Sequence, residues 1–231
     1  MSAFQEEVDY TSSVVEESKG VYDSDLIINS QEFDYVVTKL RLFFKSKGFV
    51  EAHPQNRLSI LAACEDPYTV AKFNYAGKEW PLPQTGQMWL EYELLKNPNV
   101  PGFFCVSTSY REEPTPVPGR HDIIFPLFEF EMHGGMDELI KMEEQLLQYL
   151  GYSPEKFVRG SYLDMAEKYG VKELEHEHET RMAEDESPTF FLMDFPEYTD
   201  PFWNMRRNSD TNLANKIDVI LSGQETIGSA E

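Results

Sequence analysis

Apolar residues recur every three or four positions after Asn29: Phe33, Val36, Val37, Leu40, Phe43 and Phe44 form the wide stripe of an amphipathic helix. Asn29, with Glu32 three residues on, resembles a capping box, and Lys45, Lys47 and Gly48 suit the other end. Residues 49–54 then read as an extended strand that Pro54 ends. Thr85 caps a second helix bearing Met88, Leu90, Tyr92, Leu94 and Leu95, which Pro98 stops. A third helix spans 136–150, with Leu139, Met142 and Leu146 on one face and Gly151 closing it. Ser161 opens a short helix to Tyr169, and the charged segment 171–186 reads as a surface helix.

Period-two and aromatic-rich runs predict strands between these helices. Residues 103–110 and 123–131 flank a loop rich in Pro, Gly and charge, which makes a long antiparallel hairpin. Arg111 and Glu113 stand two apart at the end of its first arm and share a face. Arg120 and His121 start the second arm. Arginine presents a planar, permanently charged fork that suits phosphate. On spacing alone, a phosphate clamp and a solvated loop with surface ion pairs are equally good accounts. Three further strands are expected at 189–195, 201–206 and 214–221. Asp218 and Glu225 follow, seven apart.

Composition narrows this picture. The 231 residues suffice for one sizeable α/β or α+β domain, or two small ones, and 41% hydrophobic content argues for a folded core. Twenty Lys plus Arg face 41 Asp plus Glu, a net charge of −21, which counts against bulk attraction to a polyanion. Two cysteines, Cys64 and Cys105, make neither a disulfide framework nor a zinc cluster. His176 and His178 alternate with glutamates, but alternate residues share a face only on a strand, and nothing nearby completes a metal site. No apolar run has the length of a membrane span and no signal peptide is visible, so a cytoplasmic protein without a membrane partner is expected. Residues 1–28 are polar and acidic and read as a flexible tail or a peripheral strand.

The hairpin resembles motif 2 of the class II aminoacyl-tRNA synthetases. There a strand ending in Phe-Arg-x-Glu leads through a loop to Arg-His and a strand carrying Glu-Phe and a closing Glu. Tyr110–Glu113, Arg120–His121 and Phe125–Glu131 keep that order, although Ile124 stands where the pattern has Glu. The first helix, Gly48-Phe49 and the strand ending at Pro54 are similar to motif 1, the dimer interface of the family. Cys64-Glu65 and Thr85-Gly86-Gln87 through Glu91 resemble a turn and a helix start of the aspartate and asparagine group. The Glu-His-Glu stretch resembles one in asparaginyl enzymes. Asp218 and Glu225 match an Asp-x-x-x-x-Gly-x-Glu segment.

The resemblance implies an α+β fold, a class II synthetase-like antiparallel sheet flanked by helices, covering 29–231. It implies activation of aspartate or asparagine by ATP, a carboxylate attacking the α-phosphate to give an aminoacyl-adenylate. Arg111 would be catalytic at the α-phosphate. Glu113 and Phe125 would place the adenine, and Arg120 and His121 would meet the outer phosphates. Glu65, Gln87, Glu91 and Glu129 would bind the amino acid, and Asp218 and Glu225 would hold Mg2+. A homodimer is implied as well. Gly228–Glu231 resembles the start of a Gly-Ser-x-Arg stretch, so the core is expected to be C-terminally incomplete, without that Arg or motif 3. Three readings follow: a stand-alone amide ligase of the asparagine-synthetase type, an aspartate or asparagine tRNA ligase core, and a non-catalytic module. The acidic charge, and a 1–28 segment too short for an anticodon-binding barrel, favour the first and count against tRNA as a partner.

Overall fold

The computed structural model describes residues 28–54, 66–117 and 119–231. Glu65, Cys64 and nearly all of the expected acidic tail lie outside these residues. Contacts divide the chain into two compact units, Met1–Thr38 and Lys39–Glu231. Helix α1 (Ser30–Ser46) contains residues of both. Asn29 caps it as its sequence predicts, its side-chain oxygen accepting from the backbone N–H of Gln31 at 2.9 Å and of Glu32 at 3.3 Å.

The second unit holds two main sheets. In the first, a short β1 (Val50–Glu51) runs parallel to β4 (Gly102–Tyr110), which pairs antiparallel with β5 (Ile124–Met132) in unbroken register from Gly102↔Met132 to Tyr110↔Ile124. The second has the order β6 (Phe157–Ser161), β7 (Thr189–Phe195), β8 (Ala214–Leu221) and β9 (Gln224–Ala230). A separate hairpin pairs β2 (Lys72–Tyr75) with β3 (Lys78–Pro81). Helices α2 (Gln87–Lys96), α3 (Met136–Leu150), α4 (Tyr162–Tyr169) and α5 (His176–Asp185) complete the unit.

Strand alternation gives each sheet two unlike faces. On β4 and β5, Phe104, Phe128 and Phe130 point one way and pack around the fully buried Phe44 of α1. Met142 and Leu146 of α3 join that cluster. On β7 and β8, Phe191, Ile217 and Val219 pack on Ile140 and Leu147 of the same helix. Helix α3 therefore lies against one face of each sheet. The opposite face of the first sheet carries Arg111, Phe125, Glu129 and Glu131 beside α2, and that of the second carries Asp218 among Phe190, Leu192 and Ile220, which pack on α4 and α5.

Two expectations need correction. Residues 201–206 are not a strand. The Arg207 guanidinium donates to the carbonyls of Met205 at 2.5 Å, Phe202 at 3.2 Å and Pro201 at 3.3 Å, folding the segment into a turn around one cation. Side-chain donors take the acceptors that a neighbouring strand would need. The strand expected at 49–54 shortens to Val50–Glu51. Among the described residues, no helix is long and apolar enough to cross a membrane.

Candidate active site

The β4–β5 hairpin places Arg111 immediately after β4, exposed to solvent. Its guanidinium lies 5.1 Å from the centroid of the Phe125 ring, across the start of the hairpin. A stacked guanidinium is oriented by the ring and keeps its edge donors for a ligand. Glu113 meets His121 Nδ1 at 2.9 Å. The hairpin thus brings together four of the residues its sequence singles out.

Arg120 goes elsewhere. It reaches the β8–β9 turn, where its guanidinium donates to the Gly223 carbonyl at 3.2 Å and to Glu179 of α5 at 2.6 Å. Gly223 is positioned for this by a left-handed φ of +94°, and a Cβ there would come within 3.0 Å of the Thr180 Cα.

Across that turn, Asp218 and Glu225 converge. A Cβ added to Gly228 would lie 2.8 Å from Glu225 Oε1 and 3.7 Å from Asp218 Oδ1, so both carboxylates hang over this bare glycine. Asp218 Oδ2 accepts from Lys216 Nζ at 2.7 Å, whereas its buried Oδ1 has no partner among the described residues. Burial raises the Asp218 acid to about 7 against the pull of Lys216, and Glu225 and Glu179 add to the rise. A hard divalent cation would supply the missing countercharge, and Mg2+ takes one or two carboxylates plus substrate oxygens. These residues fit Mg2+. For the two histidines of α5 the metal reading gains nothing: His178 is buried and accepts the Glu175 N–H at 2.8 Å through Nδ1. Among the described residues, no three His, Cys, Asp or Glu side chains are grouped to hold an ion.

The amino-acid side of the prediction lies along α2 and β5. Glu129 is engaged locally. It accepts from the Gly86 N–H at 2.8 Å and from Ser107 Oγ at 2.5 Å, as well as from Thr85 Oγ1. It therefore fastens the start of α2 to the sheet, where a negative charge also suits the helix dipole. Gln87 donates to Glu131, and burial raises the Glu131 acid to about 7, with Glu91 and Glu129 pushing the same way. Burial also raises Glu91. Glu131 was available from sequence, two residues beyond Glu129 and hence on its face. Glu143 and Glu179, on helices remote in sequence, carried no such signal.

The family model for tRNA synthetases class II (D, K and N) matches residues 5–231. The chain belongs to that family. No curated protein matches it in sequence. Among solved class II synthetases it is similar to asparaginyl-tRNA synthetase from Pyrococcus horikoshii complexed with asparaginyl-adenylate, at 21% identity and a TM-score of 0.70, over 83% of this chain and 50% of that one. Entamoeba histolytica asparaginyl-tRNA synthetase aligns at 17% identity and a TM-score of 0.70, over 96% and 57%. A putative aspartyl-tRNA synthetase from Leishmania major Friedlin aligns at 18% and 0.66, over 84% and 50%. At these identities the likeness shows the class II synthetase fold, and the chain spans about half the length of each of these structures.

Proposed function

We propose that this class II synthetase domain activates aspartate or asparagine with ATP, and that its acceptor is ammonia. The observation that carries the activation step is the link that Arg120 makes between two groups, the Arg111–Phe125 contact at the β4–β5 hairpin and the Asp218–Glu225 pair at the β8–β9 hairpin. In this reading the amino acid lies along α2, near Gln87 and Glu91. A substrate carboxylate oxygen attacks the α-phosphorus of ATP, and the bond to the bridging oxygen breaks as pyrophosphate leaves. Arg111 takes up the charge that develops on the α-phosphate, while Phe125 and Glu113 hold the adenine. Asp218 and Glu225 would hold Mg2+, which would screen the phosphate oxygens. For amide synthesis the attacking group is the side-chain carboxylate of aspartate. Ammonia then attacks the acyl carbon, the bond to AMP breaks, and ammonia gives up a proton.

The charge balance of 20 cations against 41 acids supports ammonia over tRNA. A polyanion needs many Lys and Arg contacts, and its binding falls steeply with salt. The family and its solved relatives favour the second reading, a tRNA ligase core. We expect no tRNA retention in filter binding at physiological salt, with pyrophosphate release that depends on aspartate or asparagine and proceeds without tRNA. Tight, salt-sensitive tRNA binding reverses the choice of acceptor. Activation of neither amino acid by the full-length protein leaves a non-catalytic module.

Assembly as a homodimer belongs to the same proposal. Of the apolar residues on α1, Val37 and Phe44 are buried, so they offer nothing to a partner, whereas Tyr35, Val36 and Leu42 remain exposed. Such a patch serves a two-fold interface. Light scattering is expected to give twice the chain mass, and Leu42→Glu to shift it toward monomer; a wild-type monomer at high concentration removes the proposal.

A further inference from the structure

We infer that Glu179 is a positioning residue, one that couples nucleotide binding on the β4–β5 loop to metal binding on the β8–β9 hairpin. The inference rests on the proposed ATP site. A single oxygen, Glu179 Oε2, accepts from Arg120 Nη2 at 2.6 Å and from the backbone N–H of Glu225 at 2.9 Å. The first donor belongs to the loop that carries Glu113 and His121. The second belongs to the residue proposed to hold metal. No other side chain among the described residues bonds to both elements in this way. Arg120 closes the bracket by donating to the Gly223 carbonyl, and Gln224 Nε2 returns a bond to the Arg120 carbonyl at 3.5 Å.

The bracket is partly shielded, with Arg120 20% and Glu179 22% exposed in their side chains. An ion pair at that depth is screened less by salt than a surface pair, and its charge-assisted hydrogen bonds are correspondingly stronger. Its geometry has a direct consequence. When the loop moves, the β8–β9 turn is pulled through Arg120, and the Glu225 backbone is pulled through Glu179. Without the glutamate, Arg120 keeps only a carbonyl, and the Glu225 N–H loses its acceptor. The loop and the hairpin then become independent. Glu179 touches neither reacting atom in this arrangement, so its effect is on geometry.

The test is calorimetric titration of ATP into the full-length protein, at low and at saturating Mg2+. In the wild type, Mg2+ tightens ATP binding. In Glu179→Ala that gain shrinks roughly tenfold, the size of one charge-assisted hydrogen bond, while amino-acid binding stays within about twofold. Glu179→Gln keeps an acceptor for both donors but loses the charge, so the gain shrinks only about threefold; this variant tests the point without removing the side chain. An Arg120→Ala, Glu179→Ala pair should be non-additive in the same quantity. A Mg2+-dependent gain equal to wild type in both Glu179 variants, with or without a lowered melting temperature, overturns the inference and makes the bracket merely structural. A wild type that binds no ATP at all fails differently: it removes the proposed ATP site and this coupling with it.

Discussion

Arg111→Ala in the full-length protein lowers adenylate formation about 10²–10³-fold, the usual cost of removing one preorganised charge donor from a developing negative charge. The size follows from the setting. Among the described residues no carboxylate pairs with this guanidinium, and it lies over the Phe125 ring, 5.1 Å from its centroid. Little reorganisation is then needed when a phosphate arrives. Arg111→Lys keeps the charge and loses the planar fork, so it recovers only part of the rate. Phe125→Leu removes the stacking surface while leaving Arg111 in place, and is expected to raise the KM for ATP more than it lowers kcat. The measurement is amino-acid-dependent exchange of labelled pyrophosphate into ATP. Wild-type exchange by Arg111→Ala removes this residue from the α-phosphate and with it the proposed role of the hairpin.

That hairpin was legible because its two faces obey different chemistry. Aromatic residues at 104, 128 and 130 alternate with Glu129 and Glu131, so period two and the two sides of the sheet could be read together. Helix α3 was equally plain from its apolar stripe and Gly151. The pairing of Asp218 with Glu225 was visible only as a spacing; what brings them together is the β8–β9 turn and the missing side chain of Gly228. Strand β9 (Gln224–Ala230) has a polar, largely exposed sequence, and its strand character comes from pairing with β8. Strand β6 is five residues long and is recruited in parallel by β7. Neither could announce itself by local pattern, since in both the partner supplies the reason for the conformation.

The same limit hid two acids, Glu179 and Glu143, that the fold holds in contact with distant elements. Glu179 looked like one charge among many in a surface helix, and nothing local marked its contact with a loop 59 residues away. Helix α5 is in fact half sunk, with His178 and Met182 buried. Glu143 sits on α3 where helical spacing puts it toward the sheet, and it is fully buried. An amphipathic pattern identifies the face but does not say that a carboxylate on it will be enclosed.

Three enclosed acids make the ion-free protein lose stability as pH rises from about 4.5 to about 7. Glu131, Glu143 and Asp218 are each raised to about 7, with burial the largest cause in every case. Their unfolded values lie near 4.5 for the glutamates and 3.8 for the aspartate. Below those values both states are protonated and nothing changes. Within the window the unfolded chain ionises first, the folded chain holds more protons, and stability falls with pH. Above about 7 the penalty is constant. Glu143 is the cleanest of the three to test. Its Oε1 accepts from Ser229 Oγ at 2.6 Å, its Oε2 has no partner among the described residues, and Asp218 and Glu144 add negative potential. Glu143→Gln cannot ionise and keeps an acceptor for Ser229. It should gain roughly 1–3 kcal/mol over wild type at pH 8, little or nothing at pH 4.5, and flatten the dependence between them by about one proton. Excess Mg2+ at pH 8 should recover the Asp218 share in both proteins and only the small part of the Glu143 share that the Asp218 charge causes, since burial is the larger cause at Glu143. Urea unfolding at a series of pH values, with and without Mg2+, reads all of these quantities. Parallel pH profiles for wild type and Glu143→Gln would mean that Glu143 is not held protonated in the fold.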